Sequence, residues 1–434
     1  MDREILVYID LENKPVLVGR LWTRVRGRHE GATFEYDKDW IKNPYRFSLE
    51  PALSVGPGPY HSTADRALFG AIGDSSPDRW GRALMGRAER KAAEKEGRAP
   101  RTLREADVLL MVDDESRQGA LRFAEQLGGP FLRSGEEGRV PPLMHLRQLL
   151  LASEHVEDDA ETAEEIRLLL APGSSLGGAR PKASVRQIDG SLAIAKFPHK
   201  SDTMRVELWE ALALSLAEKA GIPVPDRSLE SIDGKPVLIL RRFDRSAGTR
   251  IPFLSAMSLL GAADRETHSY MEIADAIRRY GARPTQDVRQ LWRRMVFNVL
   301  ISNVDDHLRN HGFLYAGNNG WFLSPAYDLN PVPTDLKPRI LCTAIDVDDP
   351  TASIDLAFSV AEYFSVKHDE TKTIAGEVAR VVSAWREEAR RLDLSDAEIT
   401  RVRSAFEHED LEKAQKNATT TAVGVGKATE PARS

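Results

Sequence analysis

Three places in this 434-residue chain carry residue types that could together move a phosphoryl group. In Asn303-Val304-Asp305-Asp306-His307-Leu308-Arg309-Asn310, Asp305 and Asn310 stand five positions apart, directly after an apolar helical run. A carboxylate there could accept the proton of an attacking hydroxyl. An amide oxygen on the same rigid loop could hold magnesium against phosphate oxygens. Asp328, in Ser324-Pro325-Ala326-Tyr327-Asp328-Leu329-Asn330, offers magnesium a second hard oxygen ligand. Lys196 lies in Ala193-Ile194-Ala195-Lys196-Phe197, a strand apolar on both sides. An ammonium there needs an anion, and nucleotide phosphates or Glu207 on the next helix would serve.

Taken singly, each signal has an ordinary explanation. Asp305, Asp306 and His307 could be helix-end charges, Lys196 could be a strand lysine reaching for solvent, and Gly177-Gly178 could be a flexible turn. Their order is more specific. A Gly-rich loop, a strand lysine, a helix glutamate, a connecting strand, a loop spaced as in the kinase pattern H-R-D-x-x-x-x-N and a following aspartate succeed one another as a protein kinase requires.

The elements that must position these groups can be read from periodicity. Residues 5–9 and 16–21 predict a hairpin around Asn13-Lys14-Pro15, with a third strand at 33–36 and helices over 78–95 and 105–110. A polar linker is expected at 130–142 and one helical stretch over 144–170. Strands at 183–188 and 192–197 flank Asp189-Gly190, a strong hairpin turn. A helix over 203–220 with Asp202 as N-cap, a strand at 236–240 and a long helix over 287–302 follow. Strands at 312–315 and 321–323 come next, and Ser395 with Glu398 forms a capping box for a last helix. The predicted class is α+β: a protein-kinase-like bilobal fold with a small β-rich lobe, a helical C-terminal lobe and an additional N-terminal α+β subdomain. The expected divisions are 1–130, 131–245, 246–412 and a disordered tail at 413–434.

Composition narrows the class further. Net charge is -6 with a pI near 6.0, unlike the basic footprint of an autonomous nucleic-acid binder. The lone cysteine, Cys342, excludes an internal disulfide and Cys-based zinc sites, and its apolar neighbours predict a small core residue. No apolar run approaches a membrane span and no signal-peptide pattern opens the chain, so the expectation is cytoplasmic, with no membrane partner.

Together, Ser175-Leu176-Gly177-Gly178-Ala179-Arg180-Pro181-Lys182, Arg242-Phe243-Asp244-Arg245, the loop from Asn303 to Asn310, and Tyr327-Asp328-Leu329-Asn330 resemble the HipA family, kinase toxins of bacterial toxin–antitoxin pairs. Arg46-Phe47-Ser48-Leu49 and the 69–80 stretch look, more loosely, like the family's amino-terminal subdomain. The resemblance implies ATP and Mg2+ as cofactors, Asp305 as general base, and Asn310 and Asp328 as magnesium ligands. It implies that Lys196 and the loop Gly177, Gly178, Ala179, Arg180, Pro181 and Lys182 contact phosphates. Arg241, Arg242 and Phe243 would border adenine, with Arg241 standing where the family commonly has an acidic residue. His307, Leu308, Arg309 and Asn310, with Tyr327, Asp328, Leu329 and Asn330, would line the nucleotide. Ser175, with Ser174 as the alternative, would be the autophosphorylated serine. Family precedent further implies a protein substrate such as an aminoacyl-tRNA synthetase, and a helix-turn-helix, HipB-like antitoxin that binds operator DNA. A small-molecule phosphotransferase and an inactive kinase-fold binding module are the alternative readings.

Overall fold

The computed structural model describes residues 3–27, 29–134, 140–170, 178–264, 266–318 and 320–416. They fall into two compact units. The first comprises Met1–Glu207, Pro225–Glu266 and His311–Ser324; the second comprises Leu208–Val224, Thr267–Asn310 and Pro325–Ser434.

The first unit opens on an antiparallel five-stranded sheet, in spatial order Pro59–His61, His29–Tyr36, Lys14–Arg26, Arg3–Leu11 and Leu121–Ala124. The first hairpin turns at Glu12 and Asn13, both left-handed (φ 51° and 63°), which suits the twist of a two-residue connection. The turn therefore lies earlier than Asn13-Lys14-Pro15 suggested, and Lys14 and Pro15 already belong to the return strand. A second sheet, in order Lys182–Arg186, Leu192–Lys196, Lys235–Arg241 and Arg227–Ile232, is also antiparallel. Its apolar face packs Ala183, Val185 and Phe197 against Trp80 and Leu84 of the helix Arg79–Lys95. The stretch expected as one helix over 144–170 is two, Leu146–Glu157 and Ala163–Leu170, because Asp159 adopts a left-handed backbone between them. A third sheet joins Phe253–Ser255, Gly312–Tyr315 and Trp321–Leu323, and Phe47 stacks on Tyr315 at 3.8 Å.

In the second unit the helix Pro284–Leu300 is the axis. Leu291, Trp292, Met295, Val296, Phe297, Val299 and Leu300 are all buried, so the second half of the helix is largely enclosed. Pro284 at its first turn fits a position whose N–H would have no intrahelical acceptor. The helices Tyr270–Tyr280 and His368–Ser383 pack on it, and Trp385 stacks on Phe406 at 4.5 Å. The capping box at Ser395 and Glu398 is present. The expectation of disorder from Lys413 is corrected at its start: residues 409–416 are helical and Ala414 is buried, while 417–434 lie outside the described residues. No helix among the described residues is long and apolar enough to cross a membrane.

Arg242-Phe243-Asp244-Arg245 has a structural task in the first unit. Arg242 binds Asp244 at 2.8 and 2.5 Å and also donates to the carbonyls of Ser116 and Arg117. Arg245 adds a bond to Asp244 at 2.8 Å and one to the Arg117 carbonyl at 2.6 Å, and the Gly119 N–H donates to Asp244 at 2.8 Å. The cluster thus ties the segment after the second sheet to the turn before Leu121–Ala124. Burial pushes the Asp244 carboxyl upward, but the Arg242 and Arg245 guanidiniums outweigh it and hold it well below the usual carboxylate range. Replacing Asp244 by Ala strands two buried cations, and breaking such a cluster costs about 3–5 kcal/mol, read as a shift of the urea unfolding transition. A depressed pKa makes this contribution complete above about pH 4 and lost only as pH falls through the lower folded value, so wild type and Asp244→Ala converge only in strong acid.

Candidate active site

The candidate residues divide between the two units. In the first, the sheet register sets Lys182 directly opposite Lys196, so both side chains leave the same face. Two ammoniums side by side need separate anions. Lys182, 4% exposed, takes Asp78 at 2.7 Å. Asp78 is also the N-cap of the helix Arg79–Lys95, accepting the Gly81 N–H at 2.8 Å. One carboxylate thus caps a helix and neutralises a strand lysine 104 positions away. Lys182 is therefore turned into the protein, away from the role of a phosphate contact. Lys196 is only half-buried, at the end of its strand.

Gly178 has a left-handed backbone (φ 107°), and a Cβ there would come within 3.0 Å of the Lys182 ammonium. Only glycine meets both constraints. Ala179 is exposed and Pro181 is buried, its carbonyl accepting the Phe197 N–H at 3.0 Å. Arg180 forks onto Asp202 at 2.7 and 2.5 Å and reaches Glu207 at 2.8 Å. This corrects the N-cap expectation: the helix Val206–Lys219 starts four residues beyond Asp202, whose carboxylate serves Arg180 and the His199 N–H instead. Burial pushes the Glu207 carboxyl up against the pull of Arg180, and its Oε2 has no hydrogen-bond partner among the described residues. Ser174, Ser175 and Gly177 lie outside the described residues.

In the connector, the Arg241 side chain turns to Asp189 at 3.1 Å. Arg242 is fully occupied in the charge cluster, so its guanidinium is not available to a base. Phe243 is half-buried, with its ring 6.4 Å from that of Phe253.

In the second unit the long helix ends at Leu300, and Ser302 reverses the chain with a left-handed backbone (φ 52°). Asp305 then faces solvent, with 57% of its side chain exposed, while Asp306 is 2% exposed beneath the Tyr270 hydroxyl. The Asn310 Nδ2 donates to the Asp305 carbonyl at 3.2 Å, joining the two residues that the spacing pointed to. With its nitrogen so engaged, the Asn310 amide has its oxygen as the end suited to a hard cation. Leu308 is buried and Arg309 is exposed; the Arg309 carbonyl accepts the Tyr327 hydroxyl at 2.7 Å. Asp328 has a left-handed backbone (φ 59°), a conformation that costs about 1–3 kcal/mol outside glycine and clusters at functional sites. Leu329 is buried behind it. His307 Nδ1 and Asn330 Oδ1 are buried with no hydrogen-bond partner among the described residues. The Asn310 amide oxygen and the Asp328 carboxylate are the hard donor types that magnesium takes.

Two neighbours of Asp305 were not anticipated. Lys337 Nζ lies 3.3 Å from Asp305 Oδ1, and Cys342 Sγ lies 3.9 Å from the same oxygen. Cys342 is exposed rather than a core residue, and its N–H bonds the Val304 carbonyl at 3.1 Å, which holds it against the loop. Burial, followed by the Asp305 charge, pushes its thiol above the usual value. Nothing in Asp335-Leu336-Lys337-Pro338 has a period or motif that would have singled out Lys337.

Among known proteins, residues 174–385 match the family described as HipA-like C-terminal domain. A putative kinase, Y4mE, of Sinorhizobium fredii is 28% identical over 194 residues, covering 38% of this chain and 44% of that protein. A putative kinase of Haemophilus influenzae is 28% identical over 150 residues, 30% of this chain and 44% of that protein. The chain thus spans under half the length of these relatives. In fold, it is similar to a chain of the Shewanella oneidensis MR-1 toxin–antitoxin complex of HipA, HipB and its operator DNA. That likeness has a TM-score of 0.65 at 16% identity and covers 98% of this chain and 100% of that one. The mixed helix-and-sheet, kinase-like class expected from the sequence therefore stands.

The placement of Lys182 has a direct check. Lys182→Met strands the Asp78 carboxylate and lowers stability by about 3–5 kcal/mol in chemical denaturation, while any nucleotide affinity of the wild type is retained. A large loss of affinity at unchanged stability would return Lys182 to the phosphate site.

Proposed function

We propose, from the match of residues 174–385 to the family described as HipA-like C-terminal domain, that the protein is an ATP- and magnesium-dependent Ser/Thr protein kinase, the toxin of a toxin–antitoxin pair. The observation that supports this reading most is the hydrogen bond tying Asn310 to the exposed Asp305, at the spacing of the kinase loop.

In this reading Asp305 accepts the proton of the acceptor hydroxyl. An exposed carboxylate suits a macromolecular acceptor, whose hydroxyl must approach from solvent and displace Lys337 from Oδ1. Asn310 and Asp328 hold magnesium, which offsets the charge that develops on the transferring phosphoryl group. Lys196 and Gly178 serve the phosphates. His307, Leu308, Arg309, Tyr327, Leu329 and Asn330 surround the nucleotide, and Phe243 borders the adenine with backbone of the connector, since the Arg241 and Arg242 side chains are engaged elsewhere. The protein substrate is a translation component such as an aminoacyl-tRNA synthetase. The partner is a helix-turn-helix antitoxin that binds operator DNA, and the setting is cytoplasmic.

Asp305→Asn keeps magnesium-dependent ATP binding and loses phosphoryl transfer by about 10²–10⁴-fold, the usual contribution of a general base. Transfer from labelled ATP, to the protein itself and to added proteins compared with small alcohols and sugars, is the assay. A variant within a factor of about two of wild type removes Asp305 from the mechanism.

The Gly-rich loop carries a regulatory expectation. A phosphate on Ser175 would bring about −1.5 to −2 charges into the loop that the family resemblance assigns to the ATP phosphates. ATP affinity should therefore fall after incubation with magnesium and ATP. Mass spectrometry locates the group; modification at Ser175 with affinity intact abolishes the switch, and modification at Ser174 moves it.

A further inference from the structure

Beneath the exposed Asp305, buried polar groups connect the two candidate segments of the second unit. The Tyr270 hydroxyl donates to Asp306. The same hydroxyl oxygen accepts the Asn298 Nδ2 at 3.0 Å, and Asn298 Oδ1 accepts the Asn303 Nδ2 at 3.1 Å. Asn303 Oδ1 accepts the backbone N–H of Asn330 at 3.3 Å. Asn330 Nδ2 then reaches Asp328 Oδ1 at 3.5 Å, the longest link. Tyr270, Asn298, Asn303 and Asp306 are each no more than 2% exposed.

Two features separate this chain from incidental core polarity. Its donors are ordered: from Asn330 every N–H and O–H points toward a carboxylate, Asp306 at one end and Asp328 at the other. Bonds aligned in this way polarise one another, and in a low-dielectric interior each is stronger than in water. Its end also falls on a strained residue. Asp328 needs a hold that keeps it in the left-handed region, and the Asn330 N–H, two residues on, is fastened to Asn303 in the loop that carries Asp305.

We propose that Tyr270, Asn298 and Asn303 are positioning residues. Through Asn330 they hold Asp328 in the conformation that presents its carboxylate to magnesium, and they lock it to the loop of Asp305. The proposal rests on the kinase reading of Asp305, Asn310 and Asp328. Tyr270 lies 58 positions before Asp328 in the chain, and this line of bonds connects the two.

The test uses the full-length protein, Tyr270→Phe, Asn303→Ala and the double variant. Tyr270→Phe removes one oxygen and keeps the ring. One readout is the magnesium concentration that half-saturates ATP binding. The other is the Asn330 backbone N–H resonance in asparagine-labelled protein without nucleotide or metal. In Tyr270→Phe the Asn330 resonance moves, although the change lies three bonds away along the chain. The magnesium requirement rises about 10–100-fold, the range for losing a group that orients a metal ligand, while metal-free nucleotide affinity is unchanged. The double variant is no worse than the worse single variant, because either change already interrupts the line. An unchanged magnesium requirement in Tyr270→Phe overturns the proposal even if the variant melts earlier, and so does simple additivity of the two changes. If Asn303→Ala does not fold, Tyr270→Phe decides alone. A wild-type protein that binds no magnesium nucleotide overturns the kinase reading, and the positioning role with it. Magnesium-dependent binding that is present in wild type and unaltered in the variant removes the positioning role only.

Discussion

Two consecutive aspartates at the end of one helix meet opposite environments, and the candidate site depends on that division. Asp306 is drawn inward by the Tyr270 hydroxyl, and its carbonyl by the Thr343 hydroxyl at 2.6 Å. With Asp306 fixed, the neighbouring side chain must leave on the other side, and Asp305 faces solvent. The Val304 carbonyl, held by the Cys342 N–H, and the Asp305 carbonyl, held by Asn310, remove the remaining freedom of the loop. An exposed carboxylate is thus aimed by a buried one.

Much of this could be read in the sequence where a local rule governs. The hairpin across Asp189-Gly190, the capping box at Ser395 and the long helix before Asn303 follow from turn chemistry, capping and periodicity, which act over a few residues. The spacing of Asp305 and Asn310 was legible for the same reason. What could not be read depends on contacts far apart in the chain. Lys182 looks like a phosphate ligand until Asp78, 104 residues earlier, claims it, and Arg242 looks like part of a binding strand until Ser116 and Arg117 claim it. Asp202 failed as a cap because Arg180 offered its carboxylate a stronger, charged partner. Cys342 failed as a core residue because it sits in the bend just before the strand Thr343–Ala344, beside the exposed Asp305.

Buried charge is used repeatedly in the first unit to join segments that hydrophobic contact alone would leave free to slide. Asp78 links a helix start to a strand, and Asp244 links two turns. Each buried carboxylate has several donors, which makes a buried ion tolerable. An apolar replacement of similar volume could match the stability, but it would not fix register and direction as a forked guanidinium does. The elements that carry Lys196 and the connector are therefore specified in position as well as packed.

The left-handed backbones at Ser302 and Asp328 have a consequence for how this sequence can drift. Glycine would relieve either residue, since only glycine enters that region without a steric penalty. At Ser302 the side chain resists such drift, because its hydroxyl donates to the Ala405 carbonyl at 2.9 Å and accepts from Arg339 at 3.1 Å. At Asp328 the magnesium role proposed for the carboxylate is the reason to keep a strained residue. A search for thermostable variants would thus be led to the very substitution, Asp328→Gly, that a functional screen would discard. The two kinds of selection should disagree most sharply at this position.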